Sequence, residues 1–357
     1  MNQFMSIVLE MYGEGAVLAA GGGLIGLLFG FFAQRSKFCL RAAVIDFWHG
    51  HFKGKLSIWL LAFSAAVLGT QALSLWGGLD SNSARQIAAK GSLSGALIGG
   101  LLFGVGMIMT RGCASRLLVL SANGNLRALL SGLIFAVVAQ SSLSGALMPA
   151  RLAISEIYTV EGGPSRDLLA WVGMGHEAGL ALGGIWFLIA IYFASRSSGK
   201  TLGVWIGAVG TGLSVAAAWG FSQWVAKNSF EPIQIQGLTF SGPSAEWLMR
   251  VLQTPAPKIG FEFGLMPGVF LGSLAGALYG REFKLEGFKD GYSMRRYIGG
   301  AILMGFGSML AGGCAIGAGV TGGAIFALTA WLTLVGMWLG AGLTDRWLDS
   351  PATHRLP

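Results

Sequence analysis

The sequence predicts an all-α membrane protein with about nine transmembrane helices, short re-entrant helices and an inverted repeat. Three observations predict this fold class: an apolar composition, a series of long uncharged runs, and a segment rich in glycine that occurs twice and ends each time in a cysteine. The whole chain, residues 1–357, is expected to form a single transmembrane domain.

The composition is typical of an integral membrane protein. Hydrophobic residues make up 54% of the chain, charged residues make up 11%, and the mean hydropathy is +0.65. In soluble proteins the charged residues alone amount to about 25%. The 58 glycines follow no collagen-like period, and they suit helices that approach closely in lipid. Membrane lipid is therefore an expected partner, and nucleic acid is not.

Uncharged runs of about 20 residues, long enough to cross the hydrocarbon core of a bilayer, recur along the chain. A final run, 297–344, has room for two spans separated by the break 311–323, so the sequence predicts nine spans. The shorter runs cover residues 15–34, 56–79, 91–110, 128–150, 178–195, 201–226 and 263–280.

The Lys and Arg residues predict the orientation of the chain. The loops 35–55 and 281–296 each contain five of them. Because cytoplasmic loops are rich in basic residues, both loops are assigned to the cytoplasm. With nine spans, the N-terminus is then expected outside and the C-terminus in the cytoplasm.

An internal repeat relates the two halves of the chain. The third and eighth spans, which contain the two copies, cross the membrane in opposite directions, so the repeat is expected to be inverted. Its halves cover approximately residues 15–150 and 201–344, and the helix 178–195 links them. Transporters built in this way bind their substrates where broken helices meet near the bilayer midplane. The matching residues are Gly99, Leu102, Gly104, Gly106, Gly112 and Cys113, which correspond to Gly300, Leu303, Gly305, Gly307, Gly313 and Cys314.

All three cysteines occupy the same kind of position. Cys39, Cys113 and Cys314 each follow a small-residue apolar helix and open a break in the pattern, and a fainter copy of the repeat ends at Cys39. Their odd number and the lack of a C-x-x-C pair argue against a disulfide framework. The apolar segments after Cys39 and Cys113 are too short to span, so we expect short re-entrant helices over 40–48 and 114–120. Gly112 and Gly313 are expected to supply a positive φ for the turns.

A cysteine at the N-terminus of a helix faces unpaired N–H groups and the positive end of the helix dipole, which favours anion binding. Cationic side chains flank two of the three cysteines, whereas none lies beside Cys314 in the sequence. Soft sulfur beside such a site suggests an anion that contains sulfur or selenium. The simpler interpretations are that the cysteines are small buried hydrophobes and that the cations only obey the positive-inside rule and extend to the interface. Candidate supporting residues are Gln34, Arg35, Lys37, Gly112, Arg111, Arg116 and Gly313.

Other polar residues are weaker candidates. Gln71 and Gln140 lie inside uncharged spans, where an amide most often joins helices. His176, Glu177 and Glu262 are expected at the interface, as is the stretch 151–167, and 222–262 is expected to cap the outer face. The 13 methionines are scattered, which argues against a Cu(I) site. The sequence indicates no metal site, no cofactor and, since it lacks G-x-x-x-x-G-K-[ST], no nucleotide site.

Three motifs resemble those of the YeeE/YedE sulfur-transport family of bacterial inner-membrane proteins. They are QRSKFCL at 34–40, RGCASR at 111–116 and GGCAIG at 312–317. The resemblance covers most of the chain and implies a multi-pass inner-membrane importer of thiosulfate. It further implies that Cys39, Cys113 and Cys314 line the pathway and that a TusA-like cytosolic sulfurtransferase receives the sulfur. Arg111 stands where the family has a glycine, which bears on which anion is carried.

Two alternatives stay open beside thiosulfate import by a non-enzymatic transporter. The first is a transporter of a selenium compound within the same family. The second is a membrane sulfurtransferase in which a reactive cysteine takes up sulfur covalently, although no His lies near any cysteine in the sequence. A helper subunit with merely packed cysteines would be a third, structural role.

Overall fold

The computed structural model describes residues 13–197, 201–229, 232–254, 259–288 and 291–348, and it is almost entirely helical. A two-stranded antiparallel sheet pairs β1 (Gly91–Ser92) with β2 (Thr159–Val160). In chain order the helices are α1 (Glu14–Ser36), α2 (Leu40–Trp48), α3 (Lys55–Leu75), α4 (Arg85–Ala88), α5 (Leu93–Met109), α6 (Ala114–Ala122), α7 (Leu126–Ser144), α8 (Met148–Ser155), α9 (Leu168–Trp171), α10 (His176–Ser195), α11 (Leu202–Asn228), α12 (Ser241–Leu252), α13 (Phe261–Tyr279), α14 (Gly291–Leu310), a π-helix (Ala315–Gly322) and α15 (Leu328–Leu348).

The prediction of an all-α membrane protein is confirmed. Within the described residues, eight helical segments are long and apolar enough to cross a membrane. The ninth predicted span forms α15, a helix of 21 residues that is not among these eight. Its last turn carries Asp345 and Arg346, which make this end less apolar than the rest.

Glycine stripes hold two pairs of long helices in parallel contact. An added Cβ at Gly26 would lie 2.5 Å from the Leu265 carbonyl oxygen of α13, and the next glycines along α1 meet α13 one turn further on. Helices α5 and α15 pack in the same way, because Gly336 meets the Leu97 carbonyl at 2.7 Å. Such small residues let backbones touch, which suits association in lipid.

The two copies of the repeated segment, α5 and α14, pack against each other and run in opposite directions. An added Cβ at Gly99 would lie 2.6 Å from the Gly307 carbonyl oxygen, and one at Gly307 would lie 2.7 Å from the Gly99 carbonyl oxygen. Gly106 and Gly300 approach each other in the same reciprocal manner. Since Gly99 matches Gly300 in the repeat and Gly106 matches Gly307, each contact is the counterpart of the other.

The remaining helix contacts also occur in matching sets. The matching is an exchange of helices: α1 with α11, α2 with α12, α3 with α13, α5 with α14, α6 with the π-helix and α7 with α15. This exchange turns the α1–α13 contact into the α11–α3 contact. The same exchange turns α5–α15 into α14–α7, and α2–α15 into α12–α7. Helix α10 stands outside this pattern and packs on α3.

Two loops enter the protein further than the sequence suggests. The stretch predicted as an outer cap contains α12, as its amphipathic pattern indicates, but Leu238 and Phe240 just before it are fully buried. The stretch predicted at the interface ends in Arg166 and Asp167, which are only 5% and 8% exposed. Both loops therefore contribute to the core beside the π-helix.

Candidate functional site

The three cysteines lie in turns of one design, which we name the Cys39 turn (37–39), the Cys113 turn (111–113) and the Cys314 turn (312–314). In each, the residue two positions before the cysteine has a left-handed backbone: Lys37 has φ 54°, Arg111 φ 57° and Gly312 φ 76°. The prediction that Gly112 and Gly313 take this conformation is wrong by one residue. The chain turns at the end of the preceding helix, so the left-handed residue comes before these glycines.

Each cysteine is the N-cap of the helix that follows, as the sequence predicts. Cys39 precedes α2, Cys113 precedes α6 and Cys314 precedes the π-helix. The first two helices have nine residues and the third has eight, so none is long enough to span. Each thiol therefore lies where unpaired backbone N–H groups collect.

At the Cys113 turn the sulfur is 1% exposed and lies 3.4 Å from the Ser115 hydroxyl oxygen. Thr110 closes the turn, because its hydroxyl lies 2.8 Å from both the Gly106 and the Gly112 carbonyl oxygens. Arg127 donates from Nη1 to the Thr110 carbonyl oxygen at 3.2 Å and so neutralises the C-terminal end of α5.

At the Cys314 turn the sulfur is fully buried and accepts a hydrogen bond from the Gly317 N–H at 3.5 Å. The Cys314 carbonyl oxygen accepts from the N–H of Ala318 at 2.8 Å and from that of Gly319 at 3.4 Å. Such widened turns often occur at functional sites. The segment before α12 packs on the π-helix, since an added Cβ at Gly317 would overlap the Thr239 hydroxyl.

Cys39 is half-buried and is the most accessible of the three thiols. Gln34, which is 2% exposed, donates from Nε2 to Glu282 Oε2 at 2.8 Å, and Lys37 Nζ pairs with Glu282 Oε1 at 2.9 Å. The Gln34 Oε1 atom is buried and has no partner. Glu282, on the loop after α13, is a residue of this site that sequence reasoning missed, and only the charge pattern of that loop hinted at it.

The candidate cations are placed differently from one another. Arg35 packs over the Tyr279 ring at 5.1 Å. Arg111 is exposed, and Arg116 is half-buried with a buried Nη1 atom that has no hydrogen-bond partner within the described part of the chain. Arg116 is therefore the candidate cation whose donor is free to meet an anion.

Cys113 lies within electrostatic range of both Cys39 and Cys314. Helix α6 also contacts the π-helix directly. Cys113 and Cys314 are both buried in this conformation.

A cavity of about 400 Å³ lies beside the Cys314 turn, and we name it the Cys314 cavity. Gly312, Gly317 and Ala318 form part of its wall. No charged residue lies beside Cys314 in the sequence, but other loops bring charge to the wall of this cavity. The charged residues that line it are Arg85, Lys90, Arg151, Arg166, Glu246 and Glu262.

The weaker candidates take structural positions. Gln71 is fully buried, donates from Nε2 to the Ala324 carbonyl oxygen at 2.7 Å and lies 2.9 Å from His176 Nδ1 through its Oε1. It joins α3, α10 and the start of α15, as expected of an amide in a span. Gln140 donates to Ser144 within its own helix at 2.8 Å, and Glu177 is exposed.

Apolar membrane-spanning helices that break at buried cysteines define a multi-pass α-helical membrane protein of the transporter class. The model of a family described as sulphur transport matches residues 35–343. The chain therefore belongs to this sulfur-transport family, YeeE/YedE, which confirms the resemblance read from its motifs.

Two relatives align over nearly their whole length, and a third aligns over part of it. The thiosulfate transporter TsuA of Escherichia coli (strain K12) is 27% identical over 348 residues, which is 92% of this chain and 93% of the relative. The thiosulfate transporter TsuA of Spirochaeta thermophila is 28% identical over 341 residues, 89% of this chain and 96% of the relative. A probable transporter, YedE of Salmonella typhimurium, is 34% identical over 130 residues, 34% of this chain and 32% of the relative.

Proposed function

We propose that this protein imports thiosulfate, or a closely related sulfur anion, across a bacterial inner membrane along a route that passes Cys314, Cys113 and Cys39. The observation that carries the proposal is the shared design of the three turns, each of which holds a thiol at the N-cap of a short helix. The names of the full-length TsuA relatives support thiosulfate as the substrate.

The Cys314 cavity receives the anion first, on the outer side. Its basic residues attract a dianion, and the N-terminus of the π-helix then faces it with backbone N–H groups. The thiols are weak hydrogen-bond donors, so they bind the soft sulfur atom of the anion weakly enough to release it. The buried free Nη1 of Arg116 balances charge beyond Cys113.

The matching helix contacts support an inverted repeat with α10 as the linker. In such a transporter the two halves rock against each other and expose a central site alternately to either side. The burial of Cys113 and Cys314 corresponds to an occluded arrangement. The N-terminus lies outside and the C-terminus in the cytoplasm.

On the cytoplasmic side the half-buried Cys39, beside Lys37 and Arg35, delivers the anion. A TusA-like sulfurtransferase that consumes the anion there would draw transport inward. The transporter itself carries no cofactor and forms no covalent bond with its substrate.

Uptake of radiolabelled thiosulfate by liposomes that contain the full chain tests the proposal. Changing Cys39, Cys113 or Cys314 singly to Ser should lower the initial rate by about tenfold or more, a barrier increase of about 1.4 kcal/mol. Ser64→Ala is the matched control, because Ser64 is buried but bonds only within its own helix at Leu60 and Leu61.

Two outcomes would contradict the proposal. Unchanged uptake in all three cysteine variants would show that transport does not depend on the three thiols. A stable added sulfur atom on Cys39 or Cys113, detected by mass spectrometry after exposure to thiosulfate, would favour the sulfurtransferase. Preference for a selenium analogue in a competition assay would assign the protein to the selenium branch.

A further inference from the structure

The Cys314 cavity contains two carboxyl groups that the proposed route does not use. Glu246 is on the inner side of α12 and Glu262 is in the first turn of α13. Both side chains are half-buried, and both line the cavity. The rings of the next residue on each helix, Trp247 and Phe263, lie 5.3 Å apart, which places the two carboxyl groups on neighbouring parts of the wall. Two carboxyl groups that share a site can hold one proton between them, because like charges disfavour ionisation of both.

The environment of the pair favours this shared proton. Burial, together with the charge of Glu262, raises the pKa of Glu246 to about 7. Arg85 acts against this shift, since its positive charge favours the ionised form. Glu246 therefore changes its charge close to neutral pH.

An unused cationic donor faces the same cavity. Arg166 is only 5% exposed, donates from Nη1 to the Ala89 carbonyl oxygen and from Nη2 to the Thr329 hydroxyl at 2.6 Å. Its Nε atom is buried and has no hydrogen-bond partner among the residues that the structure describes. A buried guanidinium that keeps one donor unpaired is arranged to accept an anion.

We propose that the Glu246–Glu262 pair is a proton site linked to anion binding in the Cys314 cavity, so that an oxyanion and one proton occupy the cavity together. The inference rests on the proposed function, because it takes the transported sulfur anion as the ligand. It adds a coupling ion, the proton, to that function.

Charge balance in the cavity gives the reason. When both carboxylates are ionised, they attract Arg85 and repel an incoming anion. When the pair holds one proton, one negative charge is lost and the cations can act on the anion instead. Because such coupling is reciprocal, a bound anion raises the proton affinity of the pair by the same factor.

The groups that face the pair come from several elements. Arg85 is on α4, Lys90 on the next loop, Arg151 on α8 and Arg166 before α9. Lys90 pairs with Glu161 at 3.8 Å and Arg151 donates to the Ser142 carbonyl at 2.7 Å. Arg250 of α12 packs over the Phe263 ring, while α7, α14 and α15 contribute Leu143, Ser308 and Thr329 to the wall.

Calorimetric titration of the purified full chain with thiosulfate at about pH 6 and about pH 8 tests this inference. If only the form with one proton binds, the competent fraction falls about tenfold between these values, and so should the affinity. Repeating the titration in buffers of different ionisation enthalpy counts the protons. Close to one proton should be taken up per bound anion at the higher pH, and far less than one at the lower pH.

The variant Glu246→Gln fixes the pair at one negative charge. It should bind thiosulfate at the higher pH about as tightly as the unchanged protein does at the lower pH, and without proton uptake. Glu262→Gln should behave in the same way, which guards against a folding defect in either variant. Glu156→Gln is the matched control, because Glu156 is exposed and does not line the cavity.

The outcomes separate the two proposals. Thiosulfate that binds with equal affinity at both values of pH, or without proton uptake, overturns the proton site and leaves thiosulfate import standing. A protein that binds and transports no thiosulfate at either pH overturns the import proposal and, with it, the coupling. Pronounced pH dependence that persists in both Gln variants would assign the proton to another group and reject this pair.

Discussion

The Cys113 turn and the Cys314 turn share one backbone design but obtain their charge in different ways. At the Cys113 turn, the sequence itself supplies Arg111 and Arg116, and a regular α-helix follows. At the Cys314 turn, the following π-helix contains no charged residue, and the cations of the Cys314 cavity arrive from other loops. A repeated motif can therefore keep its backbone geometry while its charged residues come from neighbouring positions in one copy and from distant loops in the other.

Packing differs between the two turns as well. The π-helix is enclosed, and Thr321 donates from its hydroxyl to the Leu238 carbonyl oxygen at 2.7 Å. At the Cys113 turn, the three atoms nearest to an added Cβ at Gly112 are side-chain atoms of α6, at 3.5–3.7 Å. The Cys314 turn should therefore tolerate less change than its counterpart.

The largest expected effect compares the glycines next to the two cysteines. An added Cβ at Gly313 would lie 2.7 Å from the Ala318 backbone nitrogen, whereas one at Gly112 would lie 3.5 Å from the Leu117 side chain. Gly313→Ala should lower the free energy of unfolding by about 1–3 kcal/mol. Gly112→Ala should change it by less than about 0.5 kcal/mol. Denaturant unfolding of both variants in detergent measures this, and equal losses would contradict the comparison.

A smaller effect, opposite in sign at the two turns, is expected from the left-handed residues. Gly312→Ala places a side chain at φ 76° and should lower the free energy of unfolding by about 1 kcal/mol. Arg111→Gly removes a side chain from φ 57° and should raise it by up to about 1 kcal/mol. Thermal unfolding of the purified variants gives the two shifts. A loss of stability in Arg111→Gly would mean that the arginine side chain stabilises the turn by more than its backbone strain costs.

The smallest effect concerns the partners of the two thiols. Both thiols accept a hydrogen bond from a backbone N–H, from Arg116 at Cys113 and from Gly317 at Cys314, and Cys113 also contacts the Ser115 hydroxyl. The backbone bonds survive any substitution other than proline. Ser115→Ala should lower the free energy of unfolding by at most about 1 kcal/mol and change thiosulfate uptake by about twofold or less. The same unfolding and liposome assays apply. A tenfold loss of uptake would assign Ser115 a direct part in holding the anion.

Local patterns were predicted well from the sequence. Short apolar segments after each cysteine predicted re-entrant helices, and α2 and α6 follow directly after Cys39 and Cys113. The left-handed positions were misassigned, because glycine is the usual residue there and the chain instead uses Lys37 and Arg111 at two of the three turns. Non-glycine residues in this conformation leave no signal in a single sequence.

Contacts between distant segments could not be predicted from the sequence. Glu246 and Glu262 lie on different long helices, Arg85 on the short helix α4 and Arg166 before α9, so no spacing in the sequence predicts that they meet at one cavity. Glu282 was missed for the same reason, since its partners Gln34 and Lys37 belong to the first helix and its turn. Periodicity predicts faces of helices, whereas a cavity depends on how the faces meet.

The glycine contact between α1 and α13 has a consequence for biosynthesis. Helix α1 enters the bilayer early, but its partner α13 follows α10 and α11 in the chain. Until the ribosome has made α13, the backbone groove of α1 must be covered by lipid tails or by an insertion factor. Assembly of this protein therefore waits for its C-terminal third, and a nascent chain that stops at α10 holds a helix that has been inserted but not yet docked.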